Sequence, residues 1–284
     1  MAETSDISST EAARSPSTVP VLQVKGISKA YGAVQALQNV DFDVYRGEVV
    51  GLVGDNGAGK STLVKIISGV TIADTGEIDI EGVKVNITIP KDATRAGIET
   101  VYQDLALCDN LDVVSNLFLG REENTTIVPY LVQPLNELDM EIRASEVFRQ
   151  LDVKLPSLRV PVASLSGGQR QSIAVAKTIL RNARVLLLDE PTAALGVAQT
   201  RQVLALIRRL RTQGLAVVII SHNLADVFEV VDRVVVLRLG RRVAVFDIAA
   251  TSQNQVVAAI TGAEFGELSR QEGTSNHKAP EDEL

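Results

Sequence analysis

The chain of 284 residues is long enough for one large domain or two modest ones, and a composition of 45% hydrophobic and 22% charged residues is that of a soluble globular protein. The formal net charge of −7 argues against a nucleic-acid partner, because no basic excess is available to displace counterions from a phosphate backbone. The one cysteine, Cys108, rules out an internal disulfide and is read as a small apolar side chain.

Both ends of the chain are polar and lack periodicity. Residues 1–19 are rich in Ser and Thr and lack the apolar core of a secretory signal, so they are predicted to be a disordered tail, as are residues 265–284. An ordered body is predicted between them, over residues 20–264. Its apolar runs fall far short of the roughly 20 residues that span a bilayer. The chain is therefore expected in the cytoplasm, where any membrane role would come from a partner.

The ordered body begins with predicted strands, continues through helices and ends in regular alternation. Alternating or continuous apolar runs predict strands at 21–27, 39–45, 48–54 and 98–103, with a hairpin at 76–85 that turns near Gly82. Helical spacing predicts helices at 59–69, 112–119, 138–151 and 167–181. Strands at 184–189, 215–221 and 233–238 then alternate with helices at 197–212 and 223–230. This alternation predicts a parallel sheet, interrupted by a helical insert between about residues 104 and 182.

The stretch "GDNGAGKST" joins a predicted strand to a predicted helix and matches the P-loop pattern. Its glycines let successive backbone N–H groups point at phosphate oxygens, and the helix adds the positive end of its dipole. Lys60 is predicted to neutralise the β- and γ-phosphates, Ser61 to bind Mg²⁺, and Thr62 to support the α- or β-phosphate. The predicted ATP-binding residues here are Gly54, Asp55, Asn56, Gly57, Ala58, Gly59, Lys60, Ser61 and Thr62.

A second acidic element follows the apolar run in "RVLLLDEP". Asp189 would emerge at the carboxyl end of a buried strand, where open α/β sheets place their ligands, and is predicted to hold Mg²⁺ through water. Glu190, one residue further, is predicted to be the general base that orients the attacking water. These two elements indicate an NTPase, a class that also includes kinases, helicases and motors.

The segment "LSGGQRQSIAVAKTIL" distinguishes among these classes. Ser166 is a good helix N-cap and the two glycines permit close backbone approach, so this is a second anion-binding helix start in one chain. A plain capped helix would explain the serine but not the whole string. A second phosphate-binding surface is explained if it binds the nucleotide held by a neighbouring copy of the chain.

With these motifs in order, residues 20–264 resemble the ATP-binding cassette (ABC) family. The resemblance implies an α/β fold: a P-loop NTPase (RecA-like) core, an antiparallel β subdomain and the inserted α-helical subdomain. It implies that Tyr31 stacks on adenine, that Gln103 contacts Mg²⁺ or water, and that His222 senses the γ-phosphate. It also implies that a signature segment closes on ATP held by the opposite protomer: Ser166, Gly167, Gly168 and Gln169.

One position departs from the family pattern. After "DEPT" the family commonly has S-A-L-D, whereas this chain has Ala193-Ala194-Leu195-Gly196. Gly196 replaces an aspartate that bridges the protomers, which puts the coupling of the two ATP sites in question but not ATP binding.

Several stretches are similar to ATP-binding subunits of bacterial monosaccharide importers of the ribose, xylose and fructose kind. The resemblance implies a homodimer of single cassettes, peripheral at the cytoplasmic face of the membrane, on a two-subunit permease fed by a periplasmic or extracellular sugar-binding protein. The segment after Gln103 would dock on the permease through Leu107, Leu111, Val114 and Leu117, unless these are core residues of the insert. An exporter ATPase and a soluble ABC protein of DNA repair, chromosome maintenance or translation remain as alternatives.

Overall fold

The structure, a computed structural model, describes residues 19–124 and 135–263. The two predicted tails lie outside these residues, apart from Val19. The ten described strands are β1 Leu22–Tyr31, β2 Val34–Val44, β3 Val49–Val53, β4 Thr75–Ile80, β5 Val83–Val85, β6 Ile98–Val101, β7 Val185–Asp189, β8 Ala216–Ile220, β9 Arg233–Arg238 and β10 Arg241–Asp247. The eight described α-helices are α1 Lys60–Ile67, α2 Pro90–Arg95, α3 Val113–Phe118, α4 Glu137–Gln150, α5 Gly167–Leu180, α6 Val197–Thr212, α7 Leu224–Val230 and α8 Gln253–Thr261.

The central sheet has six strands in the order β10-β9-β3-β8-β7-β6. All its pairings are parallel except that of β9 with β10. The parallel strands are almost wholly buried, as their continuous apolar runs require, because helices or a second sheet cover both faces. The predicted parallel sheet is confirmed.

Alternate residues of these strands face two separate hydrophobic cores. Leu186 and Leu188 belong to one core with α3–α7, whereas Val185 and Leu187 belong to the other with α1 and the second sheet. The second sheet has four antiparallel strands in the order β2-β1-β4-β5. The mixed α/β class with an antiparallel sheet beside a parallel one is therefore as expected.

The described residues of the predicted insert contain α3, α4 and α5. Helix α5 packs against α3, α4 and α6, which attaches the helical segment to the main body. Val114 and Leu117, two of the four candidate docking residues, are buried in the core that these helices share. They are core residues of the insert, because they occupy the inward face of α3.

Some elements were missed or bounded differently. Helix α2, strand β10 and helix α8 were not predicted, and the first two strands are longer than expected because they form one hairpin around Gly32. The strand predicted at 98–103 ends at Val101. The predicted hairpin at 76–85 is confirmed, and it turns through Glu81 and Gly82, both at positive φ.

Candidate functional site

Four chain segments leave the central sheet at the carboxyl ends of its parallel strands. The parallel register pairs Leu52 of β3 with Ile220 of β8, Ile220 with Asp189 of β7, and Val101 of β6 with Leu188. The segments that begin just beyond these residues therefore emerge side by side at the carboxyl ends of the strands, the usual ligand position in such sheets. They carry the P-loop, His222, the Asp189–Glu190 pair and Gln103.

The P-loop has a backbone conformation that only glycine suits. Gly54 and Gly59 have φ of 152° and 106°. A Cβ on Gly54 would lie 2.2 Å from the Leu237 carbonyl oxygen, and one on Gly59 would lie 2.7 Å from Leu37 Cδ2. These two positions bend the chain tightly against β2 and β9 before α1 begins at Lys60, so the helix N-terminus faces the loop.

Lys60 lies among the acidic groups of the site. Its Nζ donates hydrogen bonds to the carbonyl oxygens of Gly54, at 2.6 Å, and Asp55, at 3.0 Å. Burial lowers the pKa of Lys60, while the charges of Glu190, Asp55 and Asp189 oppose that shift. The structure therefore brings the predicted P-loop lysine together with both predicted acidic residues.

Asp189 is half-buried at the end of β7. Burial raises the pKa of this carboxyl, the neighbouring Glu190 carboxylate raises it further, and Lys60 and Lys65 partly offset both effects. The ionised form is thus destabilised by its surroundings. Additional positive charge here would relieve the destabilisation.

Glu190 has a left-handed backbone conformation, with φ of 49°. Its N–H donates to the Ile220 carbonyl at 2.8 Å, which fixes the backbone against β8. Its Oε1 accepts the His222 backbone N–H at 3.1 Å and lies 2.8 Å from His222 Nδ1, which donates in the tautomer protonated there. Its Oε2 accepts the Ser221 hydroxyl at 3.3 Å. Glu190 and His222 are therefore in direct contact, and Ser221 is a partner that sequence reasoning missed.

The signature segment begins helix α5. Ser166 and Gln169 form reciprocal bonds: the Gln169 N–H donates to Ser166 Oγ at 3.3 Å, and the Ser166 N–H donates to Gln169 Oε1 at 3.0 Å. A Cβ on Gly167 would lie 2.6 Å from Leu195 Cδ2, so the loop before α6 packs closely on this glycine. Among the described residues, no hydrogen bond or ion pair joins Ser166–Gln169 to Gly54–Thr62.

Tyr31 and Gln103 are both exposed. Tyr31 ends β1 in the antiparallel sheet, and Lys29 Nζ lies 5.7 Å from its ring centroid. Gln103 follows the carboxyl end of β6, beside the end of β7 that carries Asp189. The hydroxyl of the preceding Tyr102 donates to Ser68 Oγ at 3.1 Å. Neither side chain hydrogen-bonds to the Lys60–Asp189–Glu190 group in the described part of the chain.

Gly196 is the N-cap residue of α6. Its φ of −73° and ψ of 161° suit any residue, and a Cβ added there would meet no atom within 4 Å. Its N–H donates to Gln199 Oε1 at 3.2 Å. Nothing in the local backbone therefore demands glycine at this position.

The fold and the site at the carboxyl ends of the strands define an ATPase of the ABC type. Over residues 37–193 the chain matches the family model described as ABC transporter, and it belongs to that family. The curated relatives include the fructose import ATP-binding protein FrcA of Rhizobium meliloti, 45% identical over 246 residues that make up 86% of this chain and 95% of the relative. The xylose/arabinose import ATP-binding protein XylG of Sulfolobus acidocaldarius is 42% identical over 87% of this chain and 96% of its own length.

Other similarities cover longer proteins and solved structures. The ribose import ATP-binding protein RbsA of Caldanaerobacter subterraneus is 39% identical over 87% of this chain, which corresponds to 49% of that relative. The crystal structure of MJ1267, an ATP-binding cassette of an ABC transporter, is 25% identical with a TM-score of 0.72, covering 85% of this chain and 99% of that one. The dimeric structure of the bacterial ABC transporter cassette MJ0796 is 26% identical with a TM-score of 0.65, covering 80% and 98%.

Within residues 19–124 and 135–263, no helix has both the length and the apolar character needed to cross a membrane.

Proposed function

We propose that this chain is the ATP-binding subunit of an importer, and that it hydrolyses ATP to drive a monosaccharide through a separate permease. The observation that carries the proposal is the 45% and 42% identity to the fructose and xylose/arabinose import ATP-binding proteins, over 95% and 96% of their lengths. An exporter or a soluble ABC protein would share the nucleotide motifs. Neither is favoured, because the FrcA and XylG relatives, which match over nearly their whole length, are import proteins.

The working unit in this proposal is a head-to-tail dimer in which the signature segment of one copy covers the ATP held by the P-loop of the other. Two observations support it. In the described part of the chain, Ser166–Gln169 form no hydrogen bond or ion pair with the P-loop, and a similar cassette, MJ0796, has a dimeric structure. The dimer would sit at the cytoplasmic face of the membrane on two permease subunits, supplied by an external sugar-binding protein. The net charge of −7 fits the expectation of no nucleic-acid partner.

ATP binding follows from the P-loop geometry. Backbone N–H groups of residues 54–59 and the N-terminus of α1 would bind the phosphates, and those of Asn56 and Ala58 would exchange their present bonds to Asp55 for phosphate oxygens. The Lys60 ammonium, which bonds to two carbonyl oxygens of its own loop, would exchange these for β- and γ-phosphate oxygens. Thr62 would support the α- or β-phosphate, and Tyr31 would stack on adenine.

The residues present also fit Mg²⁺. Ser61, Gln103 and Asp189 offer only oxygen ligands, as this cation prefers, and the surroundings of Asp189 destabilise its negative charge in a way that a cation would relieve. Among the described residues no group of three or more His, Cys, Asp or Glu could hold a metal ion. ATP phosphates and water, including the water through which Asp189 would act, would supply the other ligands that Mg²⁺ prefers. When bound, the ion would neutralise charge on the triphosphate.

The hydrolytic step is assigned to Glu190 as the base that orients and polarises the attacking water. His222 would respond to the γ-phosphate. In this structure its Nδ1 faces Glu190 and its side chain is 77% exposed, so the ring has room to rotate toward a nucleotide.

The test is transport by the assembled system. The chain is co-expressed with candidate permease and solute-binding proteins from its own host, purified as a complex and reconstituted into vesicles that are supplied with a panel of pentoses and hexoses. We expect ATP-dependent uptake of at least one monosaccharide, lost when Lys60→Ala removes the phosphate-binding ammonium. ATPase activity without association with any membrane protein would contradict the proposal, as would efflux in place of uptake.

A further inference from the structure

We infer that Ser221 is a positioning residue that holds the Glu190 carboxylate in its water-orienting direction. The inference rests on the proposed role of Glu190 as the base. Ser221 matches no sequence motif. The evidence for its role is the contact between its hydroxyl and this carboxylate, which the fold creates.

The direction of the Ser221 hydroxyl is fixed by its two partners. Its Oγ accepts the Asn223 N–H at 3.0 Å and donates its single proton to Glu190 Oε2 at 3.3 Å. The residue is 2% exposed. Because water has little access to the hydroxyl, the carboxylate is its acceptor.

The other side-chain partner of Glu190 has a different environment. Oε1 is bound by His222, through its backbone N–H and through Nδ1 of an imidazole that is 77% exposed. If that ring turns toward a γ-phosphate, Oε1 keeps only the backbone N–H. Among the residues that the structure describes, the buried Ser221 hydroxyl is then the one side-chain donor that still fixes the carboxylate.

A second contact joins the same two chain segments. The Thr192 hydroxyl donates to Asp226 Oδ2 at 2.7 Å. The Asn223 side chain accepts the N–H groups of Ala225 and Asp226 at the start of α7. The loop after Glu190 thus remains attached to α7 without Ser221, so removing the Ser221 hydroxyl should free the carboxylate without detaching the loop.

Loss of this hydroxyl is therefore expected to affect turnover more than nucleotide binding. Ser221→Ala should lower kcat about tenfold, the effect of losing one hydrogen bond to a charged group. KM for ATP should stay within about twofold, because the phosphates are bound by other residues. Ser221→Thr keeps the hydroxyl and should restore most of the lost kcat.

The experiment measures steady-state ATP hydrolysis by the full-length protein, binding of a non-hydrolysable ATP analogue and the thermal unfolding midpoint. The variants are Ser221→Ala, Ser221→Thr, Glu190→Gln and the double variant Ser221→Ala/Glu190→Gln. Thr178→Val is the matched control, since Thr178 is also a buried hydroxyl but bonds only to the Val175 carbonyl of its own helix. Its kcat should stay within twofold of the unmodified protein.

The double variant separates positioning from a structural role. Glu190→Gln should bind ATP and lose at least about a hundredfold in kcat, and Ser221→Ala should cost nothing further in that background. An equal loss in both backgrounds, or no loss in either, would overturn the inference about Ser221 alone. Near-normal hydrolysis by Glu190→Gln would instead refute the proposed base, and an unfolded Ser221→Ala chain would show that Ser221 is structural.

Discussion

At the scale of single residues, Asp189 is a carboxyl group whose surroundings destabilise its ionised form. Burial and the adjacent Glu190 carboxylate raise its pKa above the ordinary aspartate value. A raised pKa means that the folded state binds the proton more tightly than the unfolded state. The resulting loss of stability therefore develops as the pH rises from the unfolded pKa through the folded one, and it is complete above the folded pKa.

Asp189→Asn is consequently expected to raise the thermal unfolding midpoint of the nucleotide-free protein at pH 7, while abolishing Mg²⁺-dependent hydrolysis. The gain in midpoint should shrink as the pH falls, because the carboxyl of the unmodified chain takes up a proton more readily than an ordinary aspartate. Thermal unfolding of both proteins across this pH range measures the effect. A midpoint at pH 7 equal to or below that of the unmodified protein would contradict this account of the site.

Sequence motifs predict residues that have a fixed spacing, and they do not predict residues whose partners are defined only by three-dimensional contact. The P-loop glycines were predictable because their backbone conformation excludes other residues, and Asp189 because an acidic residue followed a buried strand. Ser221 was not, because a serine after an apolar strand is common and its partner lies 31 residues away in sequence. The roles predicted for Tyr31 and Gln103 stay predictions.

At the scale of elements, the loop before α6 carries the departure from the family pattern. Gly196→Asp should fold normally, because the backbone has ordinary angles and an added Cβ meets no atom. An aspartate there could also cap α6 through the N–H of Gln199, for a gain of a few tenths of a kcal/mol.

We expect Gly196→Asp to change cooperativity between the two ATP sites more than ATP affinity, since the resemblance implies that an aspartate at this position bridges protomers. The Hill coefficient of ATP hydrolysis and the dissociation constant of an ATP analogue measure the two effects separately. Gly196→Ala, which adds a Cβ but no carboxylate, is the control. An unchanged Hill coefficient in the aspartate variant would count against this interpretation of the loop.

The bounds of helices and strands were predicted well where the hydrophobic pattern of the sequence agreed with the burial in the structure. Strands β7–β9 and helices α4–α7 were found within one or two residues, because long apolar runs and helical spacing are unambiguous. Helix α2 has six residues and buries only Ala93, so it has no apolar stripe, whereas the equally short α3 buries four apolar residues. Strand β10 lies at a sheet edge, where Val243 and Val245 are exposed and the sequence shows no buried run.

At the scale of the whole molecule, the central expectation is a shared site with the P-loop on one copy and the signature segment on the other. Lys60→Ala should disable the first surface, and Ser166→Arg should block the second. A homodimer of either variant has two defective sites. A mixed dimer places both defects in one site and leaves the other intact.

Each variant alone is expected to be inactive. Mixing the two should restore, in each heterodimer that forms, about half the ATPase activity of an unmodified dimer, because one of its two sites is intact. Hydrolysis measured across mixing ratios, with nucleotide present to allow exchange of protomers, tests this. The same mixture made from two P-loop variants, Lys60→Ala and Ser61→Ala, is the control and should stay inactive. Failure of the first mixture, with heterodimers shown to be present, would refute the shared site.

The division of the interior by the parallel sheet has a mechanical consequence. The layer that carries α1 and the layer that carries α3–α7 touch opposite faces of the same strands, so neither needs to repack when the other shifts. In the proposed function, a movement of the helical layer would therefore leave the packing around α1 unchanged. Communication between the layers falls instead to the loops that leave the strand tips, which is where Gln103, Glu190 and His222 are located.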